Sequence, residues 1–183
     1  MGSGPCRDIY EFIIENPSTK IDFECLDIDK DSIAYAMRLL NGFNVTFYCH
    51  NAFRFKANKE YDLVWSAGLF DYLNDKQFIF LLRLLFNIVR PSGELVVGNF
   101  SNANPSRDYM EFAEWFLYHR SESDLQKLAE KAGCNPKSIT IEKEPEGVNL
   151  FLRVRKPRNT AGWKFNQIGD CPQKPEGGYN CNI

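Results

Sequence analysis

Gly2-Ser3-Gly4-Pro5 followed by Cys6-Arg7-Asp8 places a glycine turn at the head of a predicted helix that runs from Cys6 to about Asn16. A Gly-x-Gly turn lets backbone N–H groups approach a ligand closely, and a helix N-terminus behind it favours negative charge. Asp27 stands near the end of the next strand-like stretch, Ile21 to Asp29. An acid about twenty residues after such a turn is placed to accept hydrogen bonds from ribose hydroxyls. Asp29 reads better as the residue that opens the following helix. Two groups are candidates for proton transfer, His50 and Asp71. Each has a plainer reading, His50 as a solvated side chain at a strand end and Asp71 as a turn cap. A Gly-x-Gly alone is only a tight turn. Joined to Asp27 it points to a nucleotide-type cofactor.

These groups must be carried by alternating strands and helices. Asp31 to Leu40 has apolar residues at helical spacing, and Asn41-Gly42 stops it. Val45 to Cys49 is a short predicted strand, and Tyr61 to Ser66 is another whose Leu63-Val64-Trp65 run predicts burial on both faces. Asn74-Asp75 opens an apolar helix to about Val89, Pro91-Ser92-Gly93 turns the chain, and Glu94 to Phe100 reads as a strand. Ser121 to Ala132 is a further helix. Ile139 to Glu142 and Leu150 to Val154 follow, joined by a short turn, as an antiparallel hairpin. The expected fold class is therefore α/β, a Rossmann-like, mostly parallel sheet with helices on both faces and a C-terminal antiparallel hairpin. Residues 1–156 form this domain, with 102–120 as a lid-like insertion, and 157–183 form a polar tail with isolated Trp163, Phe165 and Tyr179.

Composition narrows the class. The 183 residues carry 22 basic and 24 acidic side chains, a formal net charge of -2, and 44% hydrophobic residues. That balance fits a soluble domain and indicates no nucleic-acid partner. The longest apolar run, Phe78 to Val89, is too short to span a bilayer. Six cysteines and two histidines occur without a CxxC pair, so no metal site is expected. Scattered, mostly half-buried thiols suit a reducing, cytoplasmic setting, with pairing of Cys171 and Cys181 a lesser alternative.

The order of elements, the acid-ended second strand and the terminal hairpin resemble class I S-adenosylmethionine-dependent methyltransferases over residues 1–156. Gly2-Ser3-Gly4 is similar to the family's glycine motif. The resemblance implies that Gly2, Ser3 and Gly4 lie against the methionine part of S-adenosyl-L-methionine, Asp27 on the ribose and Ile28 beside the adenine. Asn51-Ala52 stands where the family has an acid and a small residue near the adenine amino group. Tyr61 to Leu73 resembles the fourth motif, which implies Ser66 at the cofactor and Asp71 towards the substrate. Arg90-Pro91-Ser92-Gly93-Glu94-Leu95 resembles the family's turn into its fifth strand. The segment Asn102 to Arg120 is aromatic and follows a strand end, where open α/β sheets bind ligands. It reads equally as an amphipathic helix on the core or as an acceptor wall carrying Tyr109, Trp115 and Tyr118. It also resembles methyltransferases that form hydroxy-fatty-acid methyl esters.

The resemblance implies in-line methyl transfer to a small-molecule or acyl-type acceptor. A carboxylate acceptor needs no base, whereas a hydroxyl or amine could use Asp71 or His50. Two other readings stay open: a non-catalytic binding protein on the same fold, and a nicotinamide-dependent oxidoreductase. The sequence departs from the family at two places. Cys6 stands where a third glycine is usual, and the first, central strand of the sheet has no counterpart. The expectation is therefore a longer natural chain whose preceding residues form an apolar strand running into Gly2. Gly162 to Ile168, or a strand from another copy in a homo-oligomer, is the alternative filler. The fragment 1–183 by itself is expected to be unstable and to bind S-adenosylmethionine poorly.

Overall fold

The computed structural model describes residues 1–158. In chain order the elements are α1 (Arg7–Glu15), β1 (Phe23–Asp27), α2 (Lys30–Leu39), β2 (Val45–Cys49), β3 (Tyr61–Ser66), α3 (Asp75–Asn87), β4 (Val89–Phe100), α4 (Arg107–Phe112), α5 (Glu122–Lys131), β5 (Ile139–Lys143) and β6 (Asn149–Arg155). Their order is the alternating one expected, and the closing pair β5–β6 is antiparallel. Trp163, Phe165, Tyr179, the Gly162–Ile168 filler and the Cys171/Cys181 pair lie outside the described residues.

Local chemistry sets the helix starts. Asp29 accepts from the N–H groups of Asp31 and Ser32, both at 3.2 Å, and so opens α2. Asn74 and Gln77 form a reciprocal capping box on α3, and Ser121 and Asp124 form one on α5. Phe78, Leu81, Leu82, Leu85 and Phe86 of α3 are fully buried, packed with Leu95 and Val97 of β4 and Leu152 of β6 in the main core.

Successive residues of a strand face opposite ways, and β1 uses both. Leu26 joins the main core, while Cys25 joins a second cluster with Cys6, Ala36 and Leu40 under α1 and α2. Helices therefore lie on both faces of the sheet.

The strands form two groups, the parallel pair β1–β2 and the set β3–β4–β6–β5, in which β3–β4 is parallel and β4–β6 and β6–β5 are antiparallel. Among the described residues no strand pairs β1 with β3. Two crossings join these strands instead. At their C-terminal ends, Ser3 N–H donates to Leu26 O at 3.0 Å and the Met1 nitrogen donates to Trp65 O at 2.8 Å. At the other end, Tyr61 Oη donates to Glu24 Oε2 at 2.6 Å, and Lys59 pairs with the same carboxylate.

Burial of β3 on both faces, expected from its apolar run, is corrected. Val64 is buried, but Leu63 is 52% and Trp65 42% exposed, Trp65 stacking on Phe151 rather than sitting in the core. The cause is coverage: α1 and α2 pack over β1 and β2, and no described helix reaches across to this face of β3. The Pro91–Gly93 turn is also absorbed into a longer β4, which begins at Val89 and carries a register shift opposite Tyr61 and Leu63. Ser92 takes the positive φ there.

Candidate active site

The C-terminal ends of β1, β2 and β3 converge on a cleft of about 420 Å³. One wall is the glycine turn, Gly2 and Gly4; the next is Leu26, Asp27 and Ile28 at the end of β1. His50 to Phe53 follow β2, and Gly68, Leu69 and Tyr72 follow β3. Gly2, Gly4 and Cys6 have φ of 60°, 50° and 54°, so the turn requires left-handed backbone at three positions. Cys6 adopts it with a side chain, and that strain is offset by burying the thiol beside Cys25, Ala36 and Leu40. The Cys6 thiol is lowered to about 7, chiefly by a hydrogen bond from Cys25.

Asp27 stitches the cleft together. Its Oδ2 accepts from Gly4 N–H at 2.7 Å and its Oδ1 from Asp29 N–H at 2.9 Å. A carboxylate has about four lone-pair sites, so each oxygen keeps one for a further donor. Asn51 caps a short 3₁₀ turn, Ala52–Arg54, by accepting from Phe53 N–H at 2.8 Å, which leaves its amide N–H₂ free of that bond. His50 is exposed, its Nδ1 3.1 Å from Asn51 O.

The remaining sequence-selected residues lie elsewhere. Ser66 is buried off the cleft and donates to Met1 O at 2.8 Å. Ser3 spends its N–H on Leu26 O. Asp71 is buried behind the Phe70–Tyr72 turn, where Oδ1 accepts from Phe100 N–H at 2.6 Å. Burial holds its carboxyl up at about 6, against the lowering effect of that bond and of Arg120.

The aromatic segment is a strapped excursion rather than one long helix. Only α4, six residues, is helical, and Glu114 at φ 59° ends its path. Its two ends meet in a bridge between Ser101 and Arg120. Between them Tyr109, Phe112, Trp115, Phe116 and Tyr118 stay exposed, Phe112 at 86%. Trp115 reaches the cleft wall, donating Nε1–H to Tyr72 Oη at 3.1 Å. Tyr72, Leu69 and Gly68 are cleft residues that the sequence reading did not select. The signal available was their place directly after β3, at a strand end.

A larger cleft, about 560 Å³, lies at the opposite end of β1 between the end of α1 and Lys20–Phe23. It is walled mainly by Phe12, Ile14, Ile21 and Phe43 and holds no glycine turn. The smaller cleft is the one that holds the glycine turn and Asp27. Among the described residues no group of three metal-ligating side chains occurs, and no helix is long and apolar enough to cross a membrane.

Strand ends that present a glycine turn, an acid after β1 and a capped turn after β2 are the arrangement expected of a methyltransferase-type cofactor fold. A family model described as a methyltransferase domain matches residues 1–93, just over half of the chain. The chain belongs to this methyltransferase-domain family, whose cofactor is S-adenosyl-L-methionine. Solved structures agree on the fold. The S-adenosylmethionine-dependent methyltransferase SibL superposes with a TM-score of 0.68 at 16% identity over 86% of this chain and 49% of its own. LepI, solved in complex with SAM, gives 0.70 at 13% identity over 86% and 41%. The 1,6-didemethyltoxoflavin-N1-methyltransferase of Burkholderia thailandensis, with bound 1,6-didemethyltoxoflavin and S-adenosylhomocysteine, gives 0.61 at 17% identity over 85% and 68%. The chain thus spans about half the length of SibL and less than half that of LepI. No curated protein matches in sequence.

Proposed function

We propose that this chain binds S-adenosylmethionine at the β1–β3 strand ends and transfers its methyl group to a small-molecule or acyl-type acceptor. The observation that carries the reading is the meeting of Gly2, Gly4 and Asp27 with Asn51 and Ala52 around one cleft. Positive-φ glycines allow close approach of a ligand, and Asp27 keeps acceptor sites for two ribose hydroxyls. Ile28 and Phe53 supply apolar walls beside an adenine, and Asn51 a polar partner. The bound cofactor supplies an activated methyl group. The chain's own task is to align the acceptor and keep water out.

The acceptor side falls to the aromatic segment, because Trp115 is tied to the cleft wall and its neighbours present exposed apolar surface. Exposed aromatic surface of this kind suits an apolar ligand better than a phosphate-rich one. Asp71 is engaged by Phe100 N–H and off the cleft, and His50 is the nearer base for an acceptor that must lose a proton. An acceptor already ionised, such as a carboxylate, needs neither.

Among the described residues no strand pairs β1 with β3, and the space between them suits a further extended strand parallel to both. Its backbone would satisfy two strand edges that, among the described residues, are joined at their ends.

Calorimetric titration with S-adenosylhomocysteine, with NAD⁺ as comparator, tests the cofactor reading. Binding of the first alone supports it. Binding of NAD⁺ in its place would sink it. Transfer of labelled methyl from S-adenosylmethionine to fatty acids, alcohols and amines then sorts the acceptor class.

A further inference from the structure

We propose that Tyr72 is the acceptor-side specificity residue of the cleft, a hydroxyl donor held in place by Trp115 and Arg120 for an acceptor oxygen. The inference rests on the methyl-transfer reading above. Tyr72 lines the cleft with Leu69 and Gly68, yet is half exposed, so its ring stands where cleft and aromatic segment meet. Its Oη takes the Trp115 indole N–H at 3.1 Å. An indole nitrogen only donates, so this bond uses the phenol oxygen and fixes its direction without using the phenol proton. Among the described residues no acceptor takes that proton. With Tyr72 half exposed, that proton is open to solvent and to a ligand in the cleft.

The backbone beneath Tyr72 is clamped from the same segment. Arg120 Nη1 donates to Phe70 O at 3.3 Å, Tyr118 N–H to Asp71 O at 2.7 Å, and Arg120 Nη2 to Leu73 O at 2.6 Å. Arg120 is itself buried, donates to Asn99 Oδ1 at 2.7 Å and lies over the Phe78 ring. Carbonyls on both sides of Tyr72 are therefore held by the segment that also holds its hydroxyl. Such double fixing is what positioning a reacting partner demands, since small misplacements near a reacting centre are costly. A mere latch between the segment and the body would explain the Trp115 bond, but it would not require the phenol ring to form the cleft wall.

The test uses the whole chain saturated with S-adenosylhomocysteine, titrated with decanoate and with decylamine, which has the same number of carbons and no acceptor oxygen. Tyr72→Phe is expected to weaken decanoate about tenfold, the loss of one hydrogen bond to a charged oxygen. It should leave decylamine and S-adenosylhomocysteine within about twofold, and Trp115→Phe, which keeps a ring but removes the N–H, should weaken decanoate by a smaller factor. Unchanged decanoate affinity in Tyr72→Phe overturns the proposal. So does equal weakening of both probes, which would make Tyr72 only an apolar wall, and so does failure of decanoate to bind the loaded wild type. Failure of S-adenosylhomocysteine to bind the wild type has a separate signature: it overturns the cofactor reading itself, and the Tyr72 assignment with it.

Discussion

Replacing Asp27 by alanine separates two roles that its geometry combines. The carboxylate accepts from Gly4 N–H at 2.7 Å and from Asp29 N–H at 2.9 Å, so its loss frees the glycine turn from β1 before any ligand is considered. Asp29 N–H is exposed and rehydrates, whereas Gly4 N–H is partly buried and does not do so fully. The stability loss is therefore expected near a single charge-assisted bond, about 1–3 kcal/mol, or roughly 3–10 °C in Tm. Loss of bonds to two ribose hydroxyls adds about 1.5–3 kcal/mol to the binding deficit, a drop of roughly 10- to 150-fold in S-adenosylhomocysteine affinity. Asp27→Asn is informative because its amide must point N–H₂ at one of two backbone donors, so it should be nearly as destabilising as alanine. Thermal melting and calorimetry on the same samples give both numbers. If Tm falls while affinity holds, Asp27 is a turn staple and not a cofactor ligand. If neither moves, the reading of the glycine turn is wrong.

Asp71→Asn probes the buried carboxyl held up at about 6 by burial. An unfolded aspartate releases its proton near about pH 4, so between these values the folded state binds more protons and stability falls as pH rises. Above pH 6 the ionised group costs on the order of 2–3 kcal/mol, and asparagine, which still accepts from Phe100 N–H, should melt higher than wild type at pH 8 but not at pH 4. Equal Tm differences at both pH values would refute this. Arg120→Met should lower stability by roughly 3–5 kcal/mol, because it leaves the Leu73 carbonyl and Asn99 Oδ1 without their donor and the Phe70 carbonyl with Leu73 N–H alone. Limited proteolysis within 102–119 should speed up in step; unaltered cleavage would show that the segment is fastened elsewhere. Gly98→Ala places a Cβ 2.6 Å from Ala67 O, a backbone atom, and should cost about 1–3 kcal/mol by denaturant melting. A neutral result would mean that β3 and β4 can part at that point.

What the sequence made legible was whatever local chemistry decides. The capped starts at Asp29, Asn74 and Ser121, the helical periodicity of 75–87 and the hairpin of 139–155 rest on residues within a few positions of one another, and each appears where expected. Much of the cleft was legible for a similar reason. Gly2, Gly4, Asp27, Ile28, His50, Asn51 and Ala52 sit at strand ends, and alternation of strands and helices brings strand ends together. Coverage was not legible. Leu63 and Trp65 look like a buried strand because hydrophobicity reports preference for burial, not whether a neighbour exists to supply it. Orientation was not legible either. Ser66 and Asp71 belong to the right stretch, yet one, at the end of β3, faces Met1 and the other, in a turn of irregular backbone with no fixed period, faces Phe100. Tyr72, one residue further, is the one that reaches the cleft.

The two lips of the cleft belong to different strand groups, and that makes their spacing a structural variable. Asp27 and Ile28 ride on β1, Leu69 and Tyr72 on the turn after β3. No ladder of strand hydrogen bonds ties β1 to β3 among the described residues. Their separation at the ligand end is set by residues 1–3: Ser3 N–H on Leu26 O, the Met1 nitrogen on Trp65 O, and Ser66 Oγ on Met1 O. Gly2 between them lies so close to Leu69 that an added Cβ would stand 3.0 Å from the leucine Cβ, at a φ that side chains resist. The glycine turn therefore does more than approach a ligand. It also sets how far the lip that carries Asp27 stands from the lip that carries Tyr72. The proposed in-line transfer would depend on that distance, since a misplacement of about 1 Å can cost roughly 100-fold in rate. A strand seated in the slot would take over this spacing along its whole length, which ties the proposed extra strand to catalytic alignment as directly as to stability.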